Sequence, residues 1–237
     1  MLWDTEPMGR RVVVALTFAV LLAGCASTSA RAELPATTAV PVTIAGPGAS
    51  VTSAGASPAS VDVRATLAPL AIDDHPTPET VFRREEWPTW VDIDHDGCDA
   101  REQALIAQST TPARVGPNCT VVAGTWTSPY DGVETTVPGE LDADHLVPLA
   151  NVHRSGGWRW DAATRRAYAN DQAVLVMVTA HANRSKGDSA PDEWRPALES
   201  DWCAYATRWM ALKIQWRLTA TTTERDALGQ MLDTCPP

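Results

Sequence analysis

The chain has 237 residues and a formal net charge of −10, enough length for one ordinary domain with flanking segments. Acidity on that scale excludes a broad basic surface of the kind that grips nucleic acid along its length. The acids crowd into 62–110, whereas 140–195 is nearly balanced, so a small local site is still open to phosphate chemistry.

Arg10-Arg11 form a basic start, and Val12 to Leu22 an apolar run too short to cross a bilayer. Leu22-Ala23-Gly24-Cys25 then reads as a lipobox, with Cys25 lipidated. Residues 1–25 are therefore expected to be a lipoprotein signal peptide that tethers an exported protein to a membrane. Residues 26–78 are rich in Ala, Ser, Thr and Pro, without an aromatic side chain, and are expected to form a disordered linker. Residues 79–237 are expected to form the folded domain.

Glu79 to Gln108 is acidic and contains Trp87, Trp90 and Asp92-Ile93-Asp94-His95-Asp96-Gly97. Alternating Asp92, Asp94 and Asp96 before a glycine resemble the start of a calcium loop, although the twelfth position is Gln103 rather than a bidentate glutamate. The other reading is a solvated acidic turn leading into a helix over Arg101–Gln108. With Cys25 set aside, Cys98, Cys119, Cys203 and Cys235 are an even number in a chain bound for an oxidising compartment. Three pairings are open, and closure of local loops favours Cys98–Cys119 and Cys203–Cys235.

Cys119 to Val137 reads as a strand, a turn and a second strand. From Leu141 the pattern alternates: Leu141, Ala143, His145 and Val147 point one way, Asp142, Asp144 and Leu146 the other, until Pro148 ends the strand. A polar, aromatic insertion follows from Asn151 to Gln172, with a helix from Asp161 to Ala169 capped by Asp161. Within it Trp158, Trp160 and Tyr168 are candidates for stacking on bases, with core packing as the plainer reading. Ala173 to Val178 reads as a buried strand, and Thr179 as the N-cap of a short helix carrying Asn183-Arg184-Ser185-Lys186-Gly187-Asp188. Trp202, Tyr205, Trp209, Leu212 and Trp216 form one stripe of a helix over Glu199–Leu218. Thr221 to Glu224 has the capping-box pattern of a last helix with Leu228, Met231 and Leu232 inward.

Strand, insertion, strand and short helix would bring Asp144, His145, His181 and Asn183 together. A hard divalent cation takes oxygen ligands, so a carboxylate and an amide suit it. His145, facing away from Asp144, would stay free as a base. Arg184 and Lys186 would hold phosphate oxygens. Lys186 is one of only two lysines, so its place in this run is not background composition.

The pair of motifs, Asp142-Ala143-Asp144-His145-Leu146-Val147-Pro148-Leu149 and Asn183 to Asp188, resembles the HNH nucleases of the ββα-metal superfamily, in particular small secreted bacterial proteins with a D-H-x-x-P core. The likeness runs from about Trp87 to Cys235. It implies an α+β fold: a ββα-metal core with added helices, stapled by two disulfides. It also implies Asp144 and Asn183 as metal ligands and His145 as general base; beside them His181 and Asp142 are expected as auxiliary ligands or as supports of the ligands. The position of the middle asparagine is taken by Val174, which leaves Asn170, Asp171 or no side chain at all to orient the histidine. The function implied is an exported endonuclease of low sequence specificity acting on nucleic acid, DNA before RNA, with one divalent cation, Mg2+ ahead of Mn2+ or Ca2+. The competing reading is a non-catalytic surface lipoprotein that keeps this fold and binds a partner or calcium.

Overall fold

The computed structural model describes residues 65 and 67–236; the readings placed on 1–25, including Cys25, and on most of 26–78 lie outside the described residues. In chain order the elements are β1 (Ala71–Ile72), α1 (Ala100–Gln108), β2 (Arg114–Val115), β3 (Val121–Ala123), β4 (Trp126–Thr127), β5 (Glu134–Thr135) and β6 (Leu141–His145). Then come α2 (Leu149–Arg154), α3 (Ala162–Ala169), β7 (Leu175–Thr179), α4 (Ala180–Lys186), α5 (Trp202–Gln215), β8 (Thr219–Ala220) and α6 (Thr222–Leu232). The strands pair two by two, β1 with β8 in parallel and β2–β3, β4–β5 and β6–β7 antiparallel. Helices and small sheets under two disulfides make this an α+β protein.

The longest ladder joins β6 to β7, with Leu141 opposite Thr179 and His145 opposite Leu175. One face of this hairpin, Leu141, Ala143, Leu175 and Met177, packs on Ala104 and Leu105 of α1 and on Trp126. On the other, Val176 and Val178 share a second core with Ala182 of α4 and with Tyr205, Trp209 and Met210 of α5. Both faces of the hairpin are covered, which is why β7 reads as a continuous apolar run.

The folded part starts earlier than residue 79. Leu70 is buried, and Leu67 packs against the same core. Asp73 N donates to Ala220 O at 2.9 Å, and Asp74 accepts from Thr222 N at 2.6 Å and from its hydroxyl at 2.8 Å. Those partners lie some 150 residues on, beyond the reach of a composition argument. The disulfides are Cys98–Cys119 and Cys203–Cys235; the second ties the first turn of α5 to the end of α6.

Both lysines of the chain are inside. Lys213 has no exposed side-chain surface, and its ammonium donates to Ser155 Oγ at 3.0 Å, Thr219 O at 2.8 Å and Glu224 Oε2 at 2.9 Å. Trp209 Nε1 donates to Glu224 Oε1 at 2.6 Å. Thr221 caps α6 as expected, accepting from Glu224 N at 3.1 Å, but the Glu224 carboxylate turns inward to Lys213 instead of completing a capping box. Trp160 and Tyr168 of the insertion are structural too. Tyr168 is fully buried, donates to Val147 O at 2.8 Å and packs on Trp160 at 5.6 Å between ring centres, while Trp158 carries Arg159 over its ring.

Asp201, just ahead of α5, has its carboxyl raised to about 6 by burial, with Arg208 opposing. A carboxyl raised by folding contributes stability that is fully present below its unfolded value and is lost as pH rises through about 6. Asp201→Asn should therefore raise Tm at pH 7 and leave it unchanged near pH 3. With this half-exposed group discounted for solvent screening, the gain is about 1 kcal/mol or less, read from thermal melts at the two pH values.

Candidate active site

β6 directs every group here. Its period of two sends Leu141 and Ala143 into the core against α1, so Asp142 and Asp144 emerge on the face covered by α4. β7 runs antiparallel to β6, and α4 turns back from it, so α4 travels alongside β6. One helical turn, about 5.4 Å, nearly matches two strand residues, about 6.7 Å. Two rungs result. Asn183 Nδ2 donates to Asp142 Oδ2 at 3.0 Å, and Lys186 Nζ reaches Asp144 Oδ1 at 3.0 Å and Oδ2 at 2.7 Å.

The second rung corrects the phosphate role expected of Lys186. Its side chain is fully enclosed, and His145 O at 3.0 Å takes a further contact from the ammonium. Three donors thus meet three acceptors, and none points to solvent. Tyr130, also buried, donates to Asp144 Oδ2 at 2.6 Å. Burial pushes the Asp144 carboxyl up and the Lys186 ammonium down, and their mutual contact opposes both shifts.

His145 leaves the strand on the side opposite Asp144. Its ring lies nearly parallel to Trp90 (5.9 Å, 25°) and to Tyr168 (6.5 Å, 17°), and Nε2 is 3.0 Å from Ala169 O. A carbonyl only accepts, so Nε2 carries the proton and Nδ1 presents a bare lone pair. Nδ1 has no hydrogen-bond partner among the described residues. Burial lowers the imidazole to about 4 against the pull of the Ala169 carbonyl, with the Arg84 and Lys186 charges adding to the drop. It is neutral at pH 7.

Neither Asn170 nor Asp171 orients that ring. Asn170 Oδ1 accepts from Val91 N at 2.8 Å and its amide donates to Pro88 O at 2.8 Å, pinning the segment before α1; Asp171 accepts from Ala173 N within its own turn. The orienting group is the main chain of Ala169.

Asp144 and His145 line two cavities. One, about 280 Å³, is shared with Asp142, Asn183, Arg101 and Trp90; the other, about 200 Å³, with Phe82, Pro148 and Gly187. Arg84 borders both. His181 is absent from either: it is exposed and lines a separate cavity with Tyr130, Asp131 and Trp194, because two residues along a helix are some 200° apart. Its expected place among the ligands is thereby corrected. Arg184 is exposed on α4. Asp92, Asp94 and Asp96 converge, with one oxygen of each within 4.8 Å of the others. Each already accepts within its own segment: Asp92 from Gly97 N, Asp96 from Cys98 N, and Asp94 from the Gln103 amide.

Sequence reasoning passed over Arg84, Tyr130 and the Ala169 carbonyl. A tyrosine in the Ser128-Pro129-Tyr130-Asp131-Gly132 turn was a usable signal, since a large ring is unusual in a tight turn. A carbonyl leaves none.

The family described as "GmrSD restriction endonucleases, C-terminal domain" matches residues 101–231. The chain is similar to an "Uncharacterized secreted protein" of Arthroderma benhamiae, 38% identical over 160 residues that cover 67% of this chain and 78% of that one. No solved structure matches.

Proposed function

Because the chain belongs to the family of C-terminal domains of GmrSD restriction endonucleases, and with it to the HNH-type nuclease superfamily, we propose that it is an exported endonuclease. It hydrolyses phosphodiester bonds in nucleic acid, DNA rather than RNA, with one divalent cation of the Mg2+ type and little sequence specificity. One observation carries this reading: a neutral imidazole, held by a backbone carbonyl, offers its free nitrogen beside a cavity lined by two carboxylates and an amide. β6, β7 and α4 form the proposed ββα-metal core. Export is supported by the two disulfides and by the secreted relative; the proposed lipid anchor at Cys25 rests on the Leu22-to-Cys25 motif.

The donor set fits a hard cation. Asp142 Oδ1 and Asn183 Oδ1 accept no hydrogen bond among the described residues and share their cavity with Asp144. Asp142, Asp144 and Asn183 would hold the ion, with Asp142 a ligand rather than a support. When bound, such an ion supplies positive charge to the leaving oxygen. Lys186 and Tyr130 fix the Asp144 carboxylate in one orientation. His145 Nδ1 takes the proton from water as the water oxygen bonds to phosphorus; one P–O ester bond breaks and the departing oxygen is protonated from solvent. An anionic substrate beside the ring raises its basicity from the depressed starting value. The overall negative charge and the scarcity of free cations at the site make binding weak.

The full chain should nick supercoiled plasmid in Mg2+ and stop in EDTA. Asp142→Ala and Asn183→Ala should each slow nicking by about 100-fold or more, in line with loss of a metal ligand or its support. Nicking that survives EDTA, or that both variants retain, would overturn the reading.

A further inference from the structure

With Lys186 enclosed, the site needs another cation for an anionic substrate. Arg101 is half spent, since it pairs with Glu102 at 2.7 Å and donates to Pro138 O at 3.1 Å. Arg84 is different. It stands in the short turn Arg84–Glu86 and lines, with Asp144 and His145, both of the cavities described above. Its guanidinium donates to Trp87 O at 3.2 Å and, more weakly, to Thr89 Oγ1 at 3.5 Å. That leaves most of its five N–H donors without a partner among the described residues. No carboxylate among the described residues lies within ion-pair distance of it, and Glu86, two positions on, is drawn away to Arg165. Partial burial pushes the guanidinium pKa down, as expected of a cation that gives up water without gaining a counter-charge.

The segment that carries Arg84 is fastened on both sides. His153 Nε2 meets Thr80 O at 2.8 Å on one side. On the other, Trp87 is buried against Trp160 and Tyr168, and Asn170 holds both Pro88 and Val91. An arginine mounted this way is set in place before substrate arrives.

We propose that Arg84 is a substrate-binding residue of this site, its guanidinium gripping the non-bridging oxygens of the phosphodiester presented to His145. Planar, forked donors suit two such oxygens at once. The assignment rests on the phosphodiesterase reading above, and Arg84 lies outside the residues 101–231 that match the family.

The test uses the full chain. Binding of a short fluorescein-labelled DNA duplex is measured across a salt series in a His145→Ala background, and KM and kcat are measured in the native background. Arg84→Ala should weaken binding about tenfold and lower the salt slope by about one; Arg84→Lys should restore the slope but only part of the affinity, with Tm unchanged in both. A duplex in which neutral methylphosphonates replace the central phosphates should bind native and Arg84→Ala chains alike. If instead Arg84→Ala weakens the neutral duplex equally, the residue merely holds its segment in place and the proposal is overturned. Unchanged affinity and KM in an active enzyme overturns Arg84 alone. A native chain that neither binds nor cuts the duplex overturns the proposed function along with it.

Discussion

Lys213→Met should destabilise the folded chain by about 3–5 kcal/mol, the cost of breaking a buried ion pair from one side. Methionine matches the lysine stem in length, so little packing is lost. What remains is the Glu224 carboxylate, 3% exposed, with only Trp209 Nε1 to satisfy it, and two acceptors, Ser155 Oγ and Thr219 O, stripped of their donor. These groups belong to α5, α6, β8 and the end of α2, so the loss should appear in the global transition rather than in local fraying. The double variant Lys213→Met/Glu224→Leu should be more stable than the single one, because it removes the orphaned charge. Urea denaturation checks both. A single variant within about 0.5 kcal/mol of the native chain, the range of an ordinary surface change, would show that the pair carries no such weight.

His145→Ala should lower kcat/KM for DNA cleavage by about 10²–10⁴, the usual worth of a positioned general base. The fold should survive, since the ring forms one hydrogen bond and the alanine leaves a single acceptor, Ala169 O, without it. Nicking rates at saturating Mg2+, beside circular dichroism of the same samples, make the comparison. A variant that folds and still cuts at the native rate would remove the imidazole from the mechanism.

Local periodicity was enough to read the β6–β7 hairpin, the Thr179 cap and the opposite facing of Asp144 and His145, because each depends on residues within a turn or two of one another. The same arithmetic contained a missed warning about His181, placed by 100° per residue across the helix from Asn183. Other features were out of reach for a physical reason. Whether Lys186 meets a phosphate or a buried carboxylate depends on how α4 lies against β6, not on its motif. Ala169 acts through a carbonyl that every residue possesses. Arg84 and Trp90 reach His145 across more than fifty positions, and β1 finds β8 across nearly 150, distances over which composition and spacing carry no directional information.

Both ammonium side chains of the protein are enclosed, at Lys186 and Lys213. Acylating reagents that seek primary amines therefore meet no lysine on the surface of the native domain. Uptake of a label at Lys186 or Lys213 would then report that the domain has opened.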